Sequence, residues 1–270
     1  MTDPSTRVAL VTGAARGIGA ATVRGLAAQG WAVLAVDRCA DDPALPYPLG
    51  TRDDLEQVVV EAAAAGGDPD TVQALAADAR DATAMADAVA AAERRWGGLD
   101  VTVAAAGVIA GGVPLWEMPV GQQQAVLDVD LGGVLALARG AIPALLRRPE
   151  PRTGRFVAVA SAAATRGMPL LAVYCAAKAG VTGLVRALAA ELGGTGVTAN
   201  AVSPGSTDTA ILTESARLYG LPSGLSFAPQ QPAQRLIEPD EIAAAIVWLA
   251  GEHTGAITGA VVPVDGGLAL

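Results

Sequence analysis

Metal-binding and redox side chains are scarce in this chain: one histidine, His253, and two cysteines, Cys39 and Cys175, among 270 residues. The cysteines form no CxxC pair and one histidine cannot complete a zinc ligand set, so no metal site is expected. The default location is the reducing cytoplasm. Aromatic residues are 3% of the chain and its net charge is −9. Both stacking platforms and a basic footprint are therefore lacking, which excludes nucleic acid as a partner. The longest apolar stretch, 101–116, is broken by Gly107, Gly111, Gly112 and Pro114. It falls short of the roughly 20 uncharged residues that span a bilayer. The first residues, from Met1 to Arg7, lack a charged start and apolar core, so neither a signal peptide nor a membrane partner is expected.

Hydrophobic residues make up 52% of the chain and charged ones 17%, enough to bury a large core, and 32 glycines allow close contacts between layers. Continuous apolar runs at 7–12, 31–37, 72–78, 99–106, 155–161, 197–203 and 260–264 predict seven strands. Helical patterns at 17–29, 53–65, 81–96, 119–146, 170–192 and 239–250 alternate with them. Buried strands alternating with helices define a doubly wound α/β fold with helices on both faces of a parallel sheet. One domain over 1–270 is expected.

Two segments interrupt the alternation. The stretch 39–52 carries three prolines, and 206–234 is turn-rich, with Pro222, Pro229 and Pro232 opposing any long helix. Both exceed an ordinary βα loop and follow strand ends where open α/β sheets bind ligands. They are candidate ligand covers.

After the first strand, Gly13, Gly17 and Gly19 in Thr12-Gly-Ala-Ala-Arg-Gly-Ile-Gly19 shape a turn that opens a helix. Such a turn lets a pyrophosphate approach the amides at the positive helix end. Asp37 ends the second strand 18 residues past Gly19, where a carboxylate accepts hydrogen bonds from ribose hydroxyls and repels a 2′-phosphate. Arg16 and Arg38 pull toward NADP, but a carboxylate in the direct position selects NAD.

Tyr174 and Lys178 are four apart in a predicted helix and share one face. An adjacent ammonium favours the phenolate, which predicts a tyrosine pKa lowered from about 10 toward neutrality and usable for general acid/base work. Ser161 ends the fifth strand 13 residues upstream and can hydrogen-bond a substrate oxygen.

These motifs, with Asn200-Ala-Val-Ser-Pro204-Gly205 and the terminal Thr258-Gly259 and Asp265-Gly266-Gly267, resemble the short-chain dehydrogenase/reductase family along essentially the whole chain. The resemblance implies a single Rossmann domain with strand order 3-2-1-4-5-6-7, a homotetramer, and catalysis by Ser161, Tyr174 and Lys178. It implies that Gly13, Arg16, Gly17, Ile18, Gly19, Asp37 and Arg38 hold NAD at one end. Asp78 and Ala79 then lie at the adenine, Ala105 and Gly107 after the fourth strand, and Pro204, Gly205, Thr207 and Thr209 at the nicotinamide. Tyr174 and Lys178 serve the cofactor as well, Lys178 through the nicotinamide ribose.

Two positions depart from the family pattern. Ala104-Ala105-Ala106-Gly107 replaces Asn-Asn-Ala-Gly, losing side-chain hydrogen bonds that brace the sheet, and Asp130 stands where an asparagine serves a water-mediated proton relay. An ionised carboxylate accepts but cannot donate. Asp130 is expected to keep the relay role with a different water orientation or a proton of its own.

The family resemblance makes 206–234 the substrate lid, and the segment 39–52 is similar to an insertion that lies over the adenine side in the branch associated with the redox peptide cofactor mycofactocin. That likeness implies NAD that does not exchange and is re-oxidised by mycofactocin, on a hydrophobic secondary alcohol or ketone. Apolar residues in and near the second cover, Leu170, Leu171, Leu212, Leu218, Leu221, Leu225 and Phe227, agree with such a substrate. Two other readings stand beside it: an exchanging NAD(P) reductase such as one for 3-oxoacyl thioesters, and an inactive NAD-binding sensor or scaffold. Cys39, Cys175 and His253 are expected to pack or face solvent, and Trp116 either packs or borders the substrate.

Overall fold

A computed structural model describes residues 6–66 and 68–270. The start of the chain, on which the signal-peptide expectation rests, lies outside the described residues. Seven parallel strands form one sheet in the order β3-β2-β1-β4-β5-β6-β7. They are β1 Val8–Thr12, β2 Ala32–Asp37, β3 Val72–Ala76, β4 Val101–Ala104, β5 Arg155–Val159, β6 Thr198–Pro204 and β7 Val261–Val264. Successive side chains of a strand face opposite sides. Val8 and Leu10 accordingly enter one core and Ala9 and Val11 the other.

The first core is closed by α3 Ala82–Trp96, α5 Gly133–Arg147 and α6 Ala172–Glu191. The second is closed by α1 Gly17–Ala27, α2 Arg52–Gly66 and α8 Pro239–Ala250. The helical stretches Val120–Arg147 and Ala172–Glu191 are long and apolar enough to cross a membrane, a possibility that the broken run at 101–116 did not raise. Here both flank the sheet, with Leu137, Leu145, Val181 and Val185 fully buried in the core.

Two local departures from the sequence pattern bear on the site. The helix expected over 119–146 is α4 Val120–Leu127 followed by a π-helical turn, Asp128–Gly132, before α5 resumes. A π turn changes the phase of a helix and often marks a functional position. It carries Asp130 fully inside the protein. The turn-rich segment after β6 also contains a helix, α7 Ala210–Leu218, capped by the Thr209 side chain and finished before Pro222. The prolines limit its length without preventing a short amphipathic helix.

Candidate active site

The carboxyl ends of the strands border a cavity of about 590 Å³, into which the glycine turn, Asp37, Asp78, Ser161, Tyr174 and Lys178 all open. Gly13 has φ +67, and a Cβ there would meet the Ala106 Cα and N at 2.6 Å. A Cβ on Gly19 would run into the Gly13 carbonyl oxygen, and one on Gly17 would come 3.2 Å from Thr209 Cγ2. Backbone is thus held against backbone where an anionic ligand needs close approach to amides. The Ala15 amide donates to Asp37 Oδ2 (3.0 Å) and the Cys39 amide to Oδ1 (3.1 Å), which ties the end of β2 to the turn. Carboxylate lone pairs remain for ribose hydroxyls.

Neither arginine beside Asp37 is free. Arg16 Nη1 donates to the Pro48 carbonyl at 3.0 Å. Arg38 reaches Asp42 at 2.8 Å and Asp78 at 3.3 Å. Arg80 forks onto Asp78 and also reaches Asp42, at 2.7 and 2.9 Å. Burial pushes the Asp78 carboxyl up, but its bonds to Arg80 and the nearby Arg38 outweigh this and hold it below the usual carboxylate range. With both guanidiniums engaged, the Asp37 end suits an unphosphorylated ribose. Asp42 and Arg80 are hidden from the sequence because no short motif contains them; the place of Asp42 in the proline-rich insertion is the one signal.

The 39–52 segment crosses this end of the cavity. Leu49 and Gly50 contribute to its wall, and a Cβ on Gly50 would lie 3.4 Å from Asp37 Oδ1. Tyr47 also reaches across to the loop after β4, where its hydroxyl accepts the Ile109 amide at 2.8 Å. That loop lacks the family's two asparagines; Thr12 Oγ1 accepts the Ala106 amide at 3.4 Å instead.

At the other end, Ser161 Oγ accepts the Ala163 amide at 3.1 Å, leaving its proton free to donate. Tyr174 and Lys178 sit on the buried face of α6, and Lys178, the only lysine of the chain, lies with Nζ 5.7 Å from the Tyr174 ring centroid. Nζ donates to the Val159 carbonyl at 3.2 Å and lies 3.5 Å from Asp130 Oδ2. Asp130 Oδ1 accepts the Val108 amide at 2.8 Å, while Oδ2 has no hydrogen-bond partner among the described residues. Asp130 stands behind Gly107, whose added Cβ would lie 3.4 Å from Lys178 Nζ and 3.7 Å from Asp130 Oδ1.

The expectation of a lowered Tyr174 pKa is corrected here. Burial raises it; the Lys178 ammonium and the Ser161 hydroxyl pull down, and the Asp130 carboxylate pushes up again. The ammonium's help is outweighed by burial and opposed by the acid paired with it. Burial lowers Lys178, but Asp130 and, to a lesser extent, Tyr174 together offset this and hold the ammonium above its ordinary value. Burial also pushes the Asp130 carboxyl up, against the pull of Lys178.

Ile18, Ala79, Ala105, Pro204, Gly205 and Thr207 all face the cavity. So do Leu171, Leu212, Leu221 and Phe227 of the apolar set, whereas Leu225 is exposed and Leu170 and Leu218 are not in the wall. Trp116 is 84% exposed and borders nothing in the site. Cys39 and Cys175 pack at the edges of apolar clusters, and His253 lies exposed just beyond α8.

The family model described as enoyl-(acyl carrier protein) reductase matches residues 13–269. A cis-4-hydroxycyclohexanecarboxylate dehydrogenase of Sinomonas cyclohexanicum is 37% identical over 97% of this chain and 96% of its own. Carveol dehydrogenase from Mycobacterium avium, solved in complex with NAD, superposes with a TM-score of 0.91 at 30% identity, covering 99% of both chains. A short-chain dehydrogenase from Mycobacterium paratuberculosis bound to NAD gives a TM-score of 0.86 at 32% identity over 97% of each.

Proposed function

The chain belongs to the short-chain dehydrogenase/reductase family, and from that premise we propose that it is an NAD-dependent oxidoreductase interconverting a secondary alcohol and a ketone on a hydrophobic small molecule. The observation that carries this is the convergence of Ser161, Tyr174 and Lys178 on the cavity that the glycine turn opens. The glycine cradle and Asp37 fit NAD, which when bound supplies the hydride acceptor for oxidation.

In oxidation, Tyr174 as phenolate takes the hydroxyl proton while the Ser161 proton steadies the same oxygen. Lys178 Nζ gives one N–H to Val159 O and lies in ion-pair range of Asp130, which leaves N–H groups to serve the nicotinamide ribose. Thr207 and Thr209, beside Pro204-Gly205, shape the nicotinamide end, and 206–234 acts as the substrate lid.

Asp130 takes the relay position, with its unpartnered Oδ2 offering a lone pair for a water beside Lys178. Its negative charge disfavours the Tyr174 phenolate. Removing that charge in Asp130→Asn favours the phenolate, so the rising limb of the oxidation rate moves to lower pH. A pH profile of kcat tests this; superimposable profiles and rates contradict a role for the carboxylate.

The strap at 39–52 supports the finer reading that NAD stays bound through turnover, because Gly50, Pro48 and Tyr47 close over Asp37, Arg16 and Ile109. An enclosed cofactor needs an external electron acceptor, which we assign to mycofactocin on the likeness of this insertion. Wild-type protein purified without added cofactor, dialysed and denatured is expected to release near-stoichiometric NAD(H) by mass spectrometry. Little nucleotide, with reversible binding of added NAD, contradicts retention. The second reading, an exchanging reductase for acyl thioesters, is favoured by the description of the matching family model. Free NADH appearing in solution supports it. We assign the active form to a cytoplasmic homotetramer; the exposed Leu127, Leu135 and Trp248 supply apolar surface for subunit contacts.

A further inference from the structure

Charge is distributed unequally along the cavity. At the cofactor end every arginine already has a protein partner: Arg16 the Pro48 carbonyl, Arg38 the carboxylates of Asp42 and Asp78. At the substrate end the wall is largely apolar, with Met168, Leu171, Ile211, Leu212, Tyr219 and Phe227 beside the uncharged Ser215 and Gln230. Besides Lys178, the one charged side chain in that part of the wall, among the described residues, is Arg166. It lies five residues beyond Ser161 on the connection from β5 to α6.

Arg166 is oriented but not neutralised. Its Nη1 donates to the Leu268 carbonyl at 2.9 Å, which fixes the guanidinium beside a second wall residue. Nε and Nη2 make no hydrogen bond within the described chain, and no carboxylate of the described residues pairs with it. A guanidinium held at one edge keeps parallel N–H groups available, and that fork matches a carboxylate or phosphate. A cation beside an apolar wall is screened less than one in open water, although the exposure of Arg166 places it at the cavity mouth and limits the gain.

We propose that Arg166 is a specificity residue for substrates carrying an anionic substituent, so that the substrate is an apolar, ring-borne or chain-borne secondary alcohol with a carboxylate or phosphate remote from the reacting carbon. The proposal rests on the alcohol dehydrogenase reading above and deepens it. The carbinol end meets Ser161 and Tyr174, the hydrocarbon body lies against Leu171, Ile211 and Phe227, and the anion reaches Arg166. Because Arg166 is on the same connection as Ser161, anion recognition and oxygen binding are set by one segment of chain.

The test uses NAD-loaded protein, an artificial electron acceptor that re-oxidises the bound nucleotide, and three probes: a hydroxycyclohexaneacetate, its methyl ester and a hydroxycyclohexylmethyl phosphate. The acid is expected to exceed the ester in kcat/KM by about tenfold or more through KM, with the gap narrowing as salt is raised. Arg166→Gln should bring the ratio close to one, and Arg166→Lys should keep part of it. A phosphate probe that outperforms the acid identifies phosphate as the anion. Calorimetry with cyclohexaneacetate, which has no alcohol to oxidise, should show binding that Arg166→Gln loses. Equal kcat/KM for acid and ester in the wild type, or a preference that survives in Arg166→Gln, overturns the proposal even where the glutamine variant is poorly folded, since the wild-type comparison stands alone. Oxidation of the ester without binding of the acid removes this inference and leaves the dehydrogenase reading intact. Binding of the acid with no alcohol oxidised supports Arg166 as an anion site and removes the dehydrogenase reading.

Discussion

Tyr174→Phe is expected to lower alcohol oxidation about 10³-fold, within the range that positioned general acid/base groups contribute. The change deletes one oxygen. The ring is 9% exposed and packs in an apolar cluster with Val108, Ile109, Leu171 and Ala177, contacts that phenylalanine reproduces. Lys178 stays bonded to Val159 and beside Asp130, so the ribose contact proposed for it persists and nucleotide content should remain within a fewfold of wild type. The readouts are single-turnover rate and nucleotide released on denaturation. Residual activity above a tenth of wild type would remove Tyr174 from the role of acid/base.

Gly19→Ala should cut NAD affinity by at least about 100-fold, the equivalent of roughly two charge-assisted hydrogen bonds to the pyrophosphate. The added methyl would enter the space of the Gly13 carbonyl oxygen. Gly13 has no room to retreat, since it already abuts the Ala106 backbone with φ +67. The turn must therefore shift outward and its amides lose their aim at the anion. Nucleotide per chain, measured alongside the thermal midpoint, separates this from unfolding. A folded Gly19→Ala protein that retains wild-type nucleotide would contradict the cradle.

The parallel sheet and the trio of Ser161, Tyr174 and Lys178 are legible because each is written locally: apolar runs alternating with helical ones, a four-residue helix spacing, a polar residue at a strand end; the strand order comes from the family resemblance. The glycine turn was legible for the same reason, since φ +67 at Gly13 and the contact of Gly19 with the Gly13 carbonyl demand the missing side chains. What was not legible depends on distant partners. Asp42 gains meaning only when folding brings Arg38 and Arg80 to it, and Tyr47 only when the Ile109 amide meets its hydroxyl. The π turn holding Asp130 reads as ordinary helix, because the residues around it keep a helical pattern. The raised Tyr174 pKa is hidden from the sequence for a related reason: the spacing to Lys178 is visible there, whereas burial and the opposing Asp130 charge are not.

The measurement that bears most directly on the central claim is a single-turnover label transfer. Purified protein carrying its nucleotide is mixed with a panel of apolar secondary alcohols, neutral and anionic, each deuterated at the carbinol carbon; the protein is then denatured and the released nucleotide weighed. The account predicts reduced NAD carrying one deuterium with at least one alcohol, and its loss in Tyr174→Phe. Label appearing equally in Tyr174→Phe, or nucleotide that stays oxidised and unlabelled across the panel, would contradict it.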